Sequence, residues 1–251
     1  MGVYYAKKLS TVIIGAATLF ALAQPLTTYA EESNEVSQLT EVNTFEDESK
    51  APDLFKSFID KAFTNKSGLL VKDAEGNDVT KKFIDGTSKL YIQEDYDSIH
   101  YIVQENDLEI SHGIEYSALS FDTLDNVQSR NSIQSIQGRG VSRDFYRSAK
   151  DRNKRYPTKE WIVTVTGNFS YDTRTFNITS VGTTRVTIKT AIFGSMFSPY
   201  LDRLNVSSSY SGRTARFDAS YTMKSTVSSL LVRETADFGR HTHTIQTGAN
   251  Q

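Results

Sequence analysis

The feature of this chain that most constrains its fold is the stretch of residues 214–224, where apolar and polar side chains alternate for eleven consecutive residues. A period of two over this length predicts a β-strand with one buried, apolar face (the dry face) and one solvent-exposed, polar face. Antiparallel sheets are the type that can leave one face in water. The dry face is predicted to carry Ala215, Phe217, Ala219, Tyr221 and Met223.

The same alternation recurs through the last third of the chain, residues 157–251, which is also rich in Ser and Thr. Turn residues, Gly182 and Gly212 among them, separate the alternating runs. Residues 193–201 break the alternation, and Pro199 cannot continue a central strand, so this segment is predicted to be a crossover loop. Together these runs predict a mainly antiparallel, all-β, sandwich-like domain of about six or seven short strands.

A helical periodicity precedes this domain. Pro52 and Asp53 suit the first turn of a helix, and apolar residues then recur at helical spacing from Leu54 to Phe63. Short runs after this helix are predicted to be strands: Leu69–Val71, Leu90–Gln93, Ile99–Gln104, and Leu108–Ser111 continuing toward Tyr116. The sequence therefore predicts a small α+β N-terminal unit over residues 51–120.

The first 30 residues have the layout of a secretory signal peptide. Lys7 and Lys8 precede an uncharged apolar run of 15 residues, Leu9–Ala23, and small residues up to Ala30 suit a signal peptidase. A membrane-spanning helix needs roughly 20 apolar residues, so residues 1–30 are predicted to be cleaved rather than to anchor the chain. Residues 31–50 lack hydrophobic periodicity and are predicted to be an acidic, disordered leader.

The chain contains no cysteine. This excludes disulfide bonds, cysteine-ligated metals and cysteine nucleophiles. An exported chain without cysteine resembles exported proteins of Gram-positive bacteria in its routing and architecture, which implies a secreted or cell-wall-associated protein. The signal peptide that carries this resemblance is specific for routing only, and it is not diagnostic of a characterised functional family.

Charge is distributed unevenly along the chain. Residues 31–60 hold nine acidic and two basic side chains, whereas residues 139–251 hold 17 basic and 8 acidic ones. Such asymmetry indicates attraction between parts of the chain or an anionic partner. The net charge of the whole chain is only −2, which argues against a general nucleic-acid binder. We also predict no cofactor, because the sequence has neither a P-loop nor a dinucleotide-binding fingerprint.

Residues 121–156 are predicted to be a polar and basic connector, and a short helix could form within residues 139–155. Its basic side chains could hold the phosphates of an anionic cell-wall polymer or of a membrane surface, because arginine makes bidentate contacts with phosphate. The alternative is a solvated linker that the acidic leader neutralises. The candidate binding residues are Arg139, Arg143, Arg147, Lys150, Arg152, Lys154 and Arg155.

His241 and His243 form a candidate metal pair on the predicted last strand. Residues two apart project from the same face of a strand, so both imidazoles could reach one ion. A third ligand is needed, and His100 and His112 belong to the other predicted unit. The alternative is a pair of packed or exposed histidines, since no metal-binding motif supports the pair.

These features predict a secreted, non-catalytic binding or structural module, which associates with anionic cell-envelope polymers through the basic connector. Two other hypotheses stay open. One is a self-associating or pore-forming β protein, because residues 204–210 and 214–224 alternate as a membrane hairpin would. The other is a secreted hydrolase or metal-dependent enzyme that uses His241 and His243.

Overall fold

The computed structural model describes residues 43–44, 53–116, 136–228 and 233–249, all within one compact unit that spans Glu32–Gln251. The predicted signal peptide and nearly all of the predicted acidic leader lie outside the described residues. The helices are α1 (Leu54–Thr64), α2 (Thr80–Ile92) and α3 (Tyr96–Glu105), and a short 3₁₀ turn spans Lys66–Gly68. No helix in these described ranges is long and apolar enough to cross a membrane.

The described strands form two sheets. Sheet A contains seven strands in the order β1-β7-β5-β4-β3-β2, with β6 also paired to β5, and sheet B contains three in the order β10-β9-β8. Every pairing is antiparallel except that of β1 with β7. The strands are β1 (Asn43–Thr44), β2 (Leu69–Lys72), β3 (Glu109–Tyr116), β4 (Ile136–Ala149), β5 (Lys159–Asp172), β6 (Ile178–Val181), β7 (Arg185–Ile192), β8 (Phe197–Ser211), β9 (Thr214–Ser228) and β10 (Arg233–Gly248).

Sheet A is covered on both faces, so one hydrophobic core lies on each side of it. On β4, Phe145 belongs to the core that sheet A shares with sheet B, whereas its neighbour Tyr146 belongs to the core under the helices. Successive residues of a strand point to opposite faces, so helices and sheet B lie on opposite sides of sheet A. This architecture confirms the predicted fold class, an α+β N-terminal unit followed by a mainly antiparallel sandwich.

The inter-sheet core contains the alternating residues that the sequence analysis placed on a dry face. Residues 215, 217, 219, 221 and 223 of β9 are all at most 1% exposed. The predicted pairing of residues 204–210 with residues 214–224 is also present, as the β8–β9 hairpin. The apolar side of this hairpin packs against sheet A.

Helix α1 begins and packs as its sequence pattern predicts. The Oδ1 atom of Asp53 accepts a hydrogen bond from the backbone N–H of Lys56 at 2.8 Å, which satisfies one of the free donors at the helix start. The apolar stripe is buried under sheet A: Leu54, Phe55, Phe58, Ile59, Ala62 and Phe63.

Two of the predicted strands are wrong. Leu90–Gln93 falls at the end of α2, and Ile99–Gln104 falls within α3. The Asp95 carboxylate starts α3 by accepting hydrogen bonds from the Ser98 N–H at 3.1 Å and its hydroxyl at 2.7 Å. Ile99 and Val103, four residues apart, then face the helix core. Short apolar runs are ambiguous between helix and strand, and here the capping residue decides.

Part of the predicted connector is a strand, and the short helix considered there is wrong. Residues 136–149 form β4, an interior strand of sheet A that pairs with β3 and β5 over most of its length. The crossover loop predicted for residues 193–201 is shorter than expected, because β8 begins at Phe197. Strand β8 lies at the edge of sheet B, where the missing N–H of Pro199 costs little.

Candidate functional site

The seven candidate basic residues divide into two groups, and the first group holds strands together. Arg139, Arg143 and Arg147 all belong to β4 and recur every four residues. The Arg139 guanidinium lies 5.1 Å from the centre of the Tyr171 ring. Arg143 Nη1 donates a hydrogen bond to the Gly68 carbonyl at 3.1 Å. Arg147 forms an ion pair with the Glu109 carboxylate. These three side chains are partly buried, so they do not form a free cationic surface.

The second group lies on the loop between β4 and β5. We call residues 150–156 the basic loop. Lys150, Arg152, Lys154 and Arg155 are exposed there, whereas Asp151 is only 1% exposed. The loop therefore presents four cations to solvent around one buried carboxylate.

The buried carboxylate of Asp151 fixes the shape of the basic loop. Its Oδ2 accepts the backbone N–H of Arg155 at 3.1 Å, and its Oδ1 accepts that of Asp237 on β10 at 3.1 Å. Two backbone bonds add to this: Arg152 N–H donates to the Asp237 carbonyl at 2.8 Å, and Lys154 N–H donates to the Asp151 carbonyl at 2.8 Å. The loop is thus attached to sheet B at several points.

Lys154 adopts a backbone conformation that a lysine rarely takes. Its φ is +56°, in the left-handed region, which costs a residue with a Cβ roughly 1–2 kcal/mol. Glycine and asparagine are the usual residues at such positions. The surrounding hydrogen bonds hold the loop in this shape despite the cost.

The cations of the basic loop differ in how far their charge is compensated. Arg155 pairs with Glu234 and also donates to the Thr235 carbonyl at 2.9 Å. Arg152 is 63% exposed at its side chain, and its Nε lies 3.8 Å from Asp237 Oδ1. Arg233, at the start of β10, is exposed at the same end of sheet B. The basic loop and Arg233 together carry five positive charges, against the three negative charges of Asp151, Glu234 and Asp237, which leaves a positive excess.

His241 and His243 project from the same face of β10, as predicted, and that face is the inter-sheet core. His243 is 1% exposed and its ring stacks on that of Phe145, with centroids 4.1 Å apart. Its Nε2 lies 3.0 Å from the Tyr221 hydroxyl, and its Nδ1 lies 3.3 Å from Glu109 Oε2. Burial lowers the pKa of both histidines, that of His241 to about 4.

No third ligand joins this pair within the part of the chain that the structure describes. Glu109 reaches His243, whereas the Nε2 of His241 lies 3.2 Å from the Phe238 carbonyl. No group of three His, Cys, Asp or Glu side chains in these described ranges could hold a metal ion. The arrangement is that of packed, hydrogen-bonded histidines.

A cleft that the sequence did not predict lies between the first turns of α1 and α3 and the start of β5. It has a volume of 350 Å³ and is lined in part by Asp53, Asp97, His100 and Glu160. The His100 Nε2 lies 3.4 Å from Glu160 Oε1 and 3.0 Å from the Tyr146 hydroxyl. No local signal marks this site, because its lining residues come from four separate elements, α1, α3, β5 and, through Ile192, β7.

Most of the polar groups of this cleft have structural roles. Asp53 and Asp97 lie at helix starts, where carboxylates are stabilised by the helix dipole. Burial raises the pKa of Glu160 and lowers that of His100, so both groups favour their neutral forms. Helix capping and burial therefore explain why these polar residues lie in the cleft, and no bound ligand is needed to explain them.

Comparison of the chain with protein-family models, with curated proteins and with solved structures gives no match.

Proposed function

We propose that this protein is an exported, non-catalytic binding protein that associates with phosphate-bearing, anionic material of the cell envelope through the basic loop. The observation that carries the proposal is the fixed shape of this loop. Lys150, Arg152 and Lys154 extend from a backbone that the buried Asp151 attaches to β10. Because the backbone of the loop is fixed, less conformational entropy is lost when its exposed cations bind a polyanion.

A solvated linker would not need this construction. Burying the Asp151 carboxylate and holding Lys154 at a positive φ both cost free energy. This free-energy cost favours a loop that binds a ligand over a connector whose charges serve only to keep the chain soluble.

The test measures binding of the mature chain to isolated Gram-positive envelopes and to soluble polyphosphate. The loop variant K150S/R152S/K154S is compared with K81S/K82S/K89S, which removes three exposed lysines from α2 and changes the net charge equally. We expect the loop variant to bind roughly a hundredfold more weakly, from about 1 kcal/mol for each cation near an anionic surface. Binding by the control should stay near that of the unchanged chain.

Two further measurements, a salt titration and the variant Asp151→Ala, extend the same test. Raising the salt from 0.05 M to 0.5 M should release the protein, because exposed charges are screened within about 10 Å at 0.1 M. Asp151→Ala removes one negative charge, so attraction by net charge alone would strengthen binding. We expect weaker binding, because the loop loses its anchor. Salt-independent binding, or equal losses in the loop and α2 variants, would contradict the proposal.

A further inference from the structure

Two large hydrophobic side chains are exposed at the same end of sheet B as the basic loop. Met196 is 52% exposed and Tyr200 is 37% exposed. Phe197, next to Met196, packs its ring 5.3 Å from that of Tyr156 in the basic loop. Exposed methionine and tyrosine side chains and exposed cations therefore lie together.

Tyr200 is connected to the basic loop across sheet B. It pairs with Lys224 of β9, which pairs in turn with Asp237 of β10. The backbone of Asp237 is the group to which Arg152 and Asp151 attach the basic loop. The outward side of these three strands is thus continuous with the loop. We call the loop, Arg233, Met196 and Tyr200 together the basic end.

Cations around exposed hydrophobic side chains suit the boundary of a lipid bilayer. Lysine and arginine pair with anionic headgroups, while apolar and tyrosine side chains enter the layer beneath them. A soluble phosphate polymer has no apolar layer and would leave Met196 in water. A lipid bilayer would therefore contact both the cations and the exposed hydrophobic side chains of the basic end, whereas a soluble phosphate polymer would contact the cations alone.

We infer that the basic end docks on the surface of an anionic phospholipid bilayer, with the loop cations on lipid phosphates and with Met196 and Tyr200 inserted between headgroups. This inference rests on the proposed function, because both use the basic loop. It goes further in naming the partner as a membrane surface rather than a polymer.

The experiment measures cosedimentation with vesicles of phosphatidylglycerol and phosphatidylcholine, with vesicles of phosphatidylcholine alone, and binding to soluble polyphosphate. The variant M196S/Y200S is compared with I92S/Y101S, which removes two exposed hydrophobic side chains from α2 and α3, 80% and 64% exposed. Thermal unfolding of each variant confirms that it is folded.

We expect the protein to bind the anionic vesicles and not those of phosphatidylcholine alone. M196S/Y200S should bind the anionic vesicles on the order of tenfold more weakly, since half-exposed side chains have only part of their area left to bury. Its binding to polyphosphate should be unchanged, and I92S/Y101S should behave as the unchanged chain in both assays.

Other outcomes separate this inference from the proposed function. If M196S/Y200S binds anionic vesicles as tightly as the unchanged chain, or loses polyphosphate binding to the same extent, the membrane inference is overturned and the proposed function stands. If K150S/R152S/K154S keeps full binding to both vesicles and polyphosphate, the proposed function fails and the inference fails with it.

Discussion

At the scale of single residues, the inter-sheet core contains a chain of polar groups that join the two sheets. The Tyr221 hydroxyl of sheet B contacts His243 and accepts a hydrogen bond from Trp161 Nε1 of sheet A at 3.4 Å. Burial alone would raise the pKa of Glu109, but the bond to His243 and the charge of Arg147 bring it below its usual value. The hydrogen bonds from Trp161 through Tyr221 and His243 to Glu109 let these polar groups occupy a core at low cost. The buried Nε of Arg147, by contrast, has no hydrogen-bond partner within the described part of the chain.

The buried histidines predict a loss of stability in acid. The pKa of His241 falls from 6.5 to about 4 on folding, mainly because of burial. Below pH 6.5 the unfolded chain binds a proton that the folded chain does not, so stability falls as the pH drops toward 4, by up to about 3 kcal/mol.

His241→Gln should remove this component, so the urea midpoint of the variant should fall less between pH 7.5 and pH 4.5 than that of the unchanged chain. Urea titrations monitored by circular dichroism at several pH values make the comparison. Parallel curves for the two proteins would show that His241 does not titrate in this way.

At the scale of elements, irregular strands adjust which side chains face the core. Sheet B has a register shift in β8 between Asp202 and Asn205 and another in β10 between Asp237 and Arg240. Gly239, at φ +96°, supplies the left-handed conformation in β10. An extra residue reverses the parity of a strand, so Ala236 before the shift and His243 after it both face the core.

The close approach of the two sheets at Gly167 of β5 predicts opposite effects for the same substitution at two glycines. A Cβ at Gly167 would lie 2.4 Å from the Phe217 ring, so Gly167→Ala should cost about 1–3 kcal/mol by overpacking. Gly86, inside α2, has nothing within 4 Å of the same position. Gly86→Ala should therefore stabilise the chain by about 0.5–1 kcal/mol. Chemical denaturation measures both, and equal signs would refute the packing argument.

At the scale of the whole molecule, sheet A is shared by two cores. Its strands β4 and β5 bury side chains on both faces, as Phe145 and Tyr146 or Trp161 and Ile162 show. Loss of either core would expose one face of these strands. We therefore expect the described part of the chain to unfold as one cooperative unit.

Trp161 is the only tryptophan and lies in the inter-sheet core, so its fluorescence reports on that core alone. Phe58, in the helix core, is 3% exposed. Phe58→Ala should cost about 3–5 kcal/mol and should shift the Trp161 transition as far as the far-ultraviolet one. Tyr101→Ala, at an exposed position, should shift neither by more than about 0.5 kcal/mol. A fluorescence midpoint that stays in place in Phe58→Ala would mean that the cores unfold separately.

Elements with long, regular patterns could be predicted from the sequence. The stripe of α1 and the alternation of β9 are repeated often enough to identify a helix and a strand. Helices α2 and α3 have fewer buried apolar residues, and their short apolar runs fit either structure. Strand β4 could not be predicted from the sequence, because an arginine on the core-facing side of a strand cannot be distinguished by residue type from an arginine in a solvated linker.

Spacing within one element was enough to predict the β character of residues 157–228 and 233–249, the amphipathic α1, and the common face of His241 and His243. Which of the seven basic side chains stay exposed depends instead on contacts between distant parts of the chain. Arg143 finds its partner Gly68 at a distance of 75 residues along the chain, and Asp151 finds the Asp237 backbone 86 residues away. Such partners are brought together by folding, so no local pattern records them.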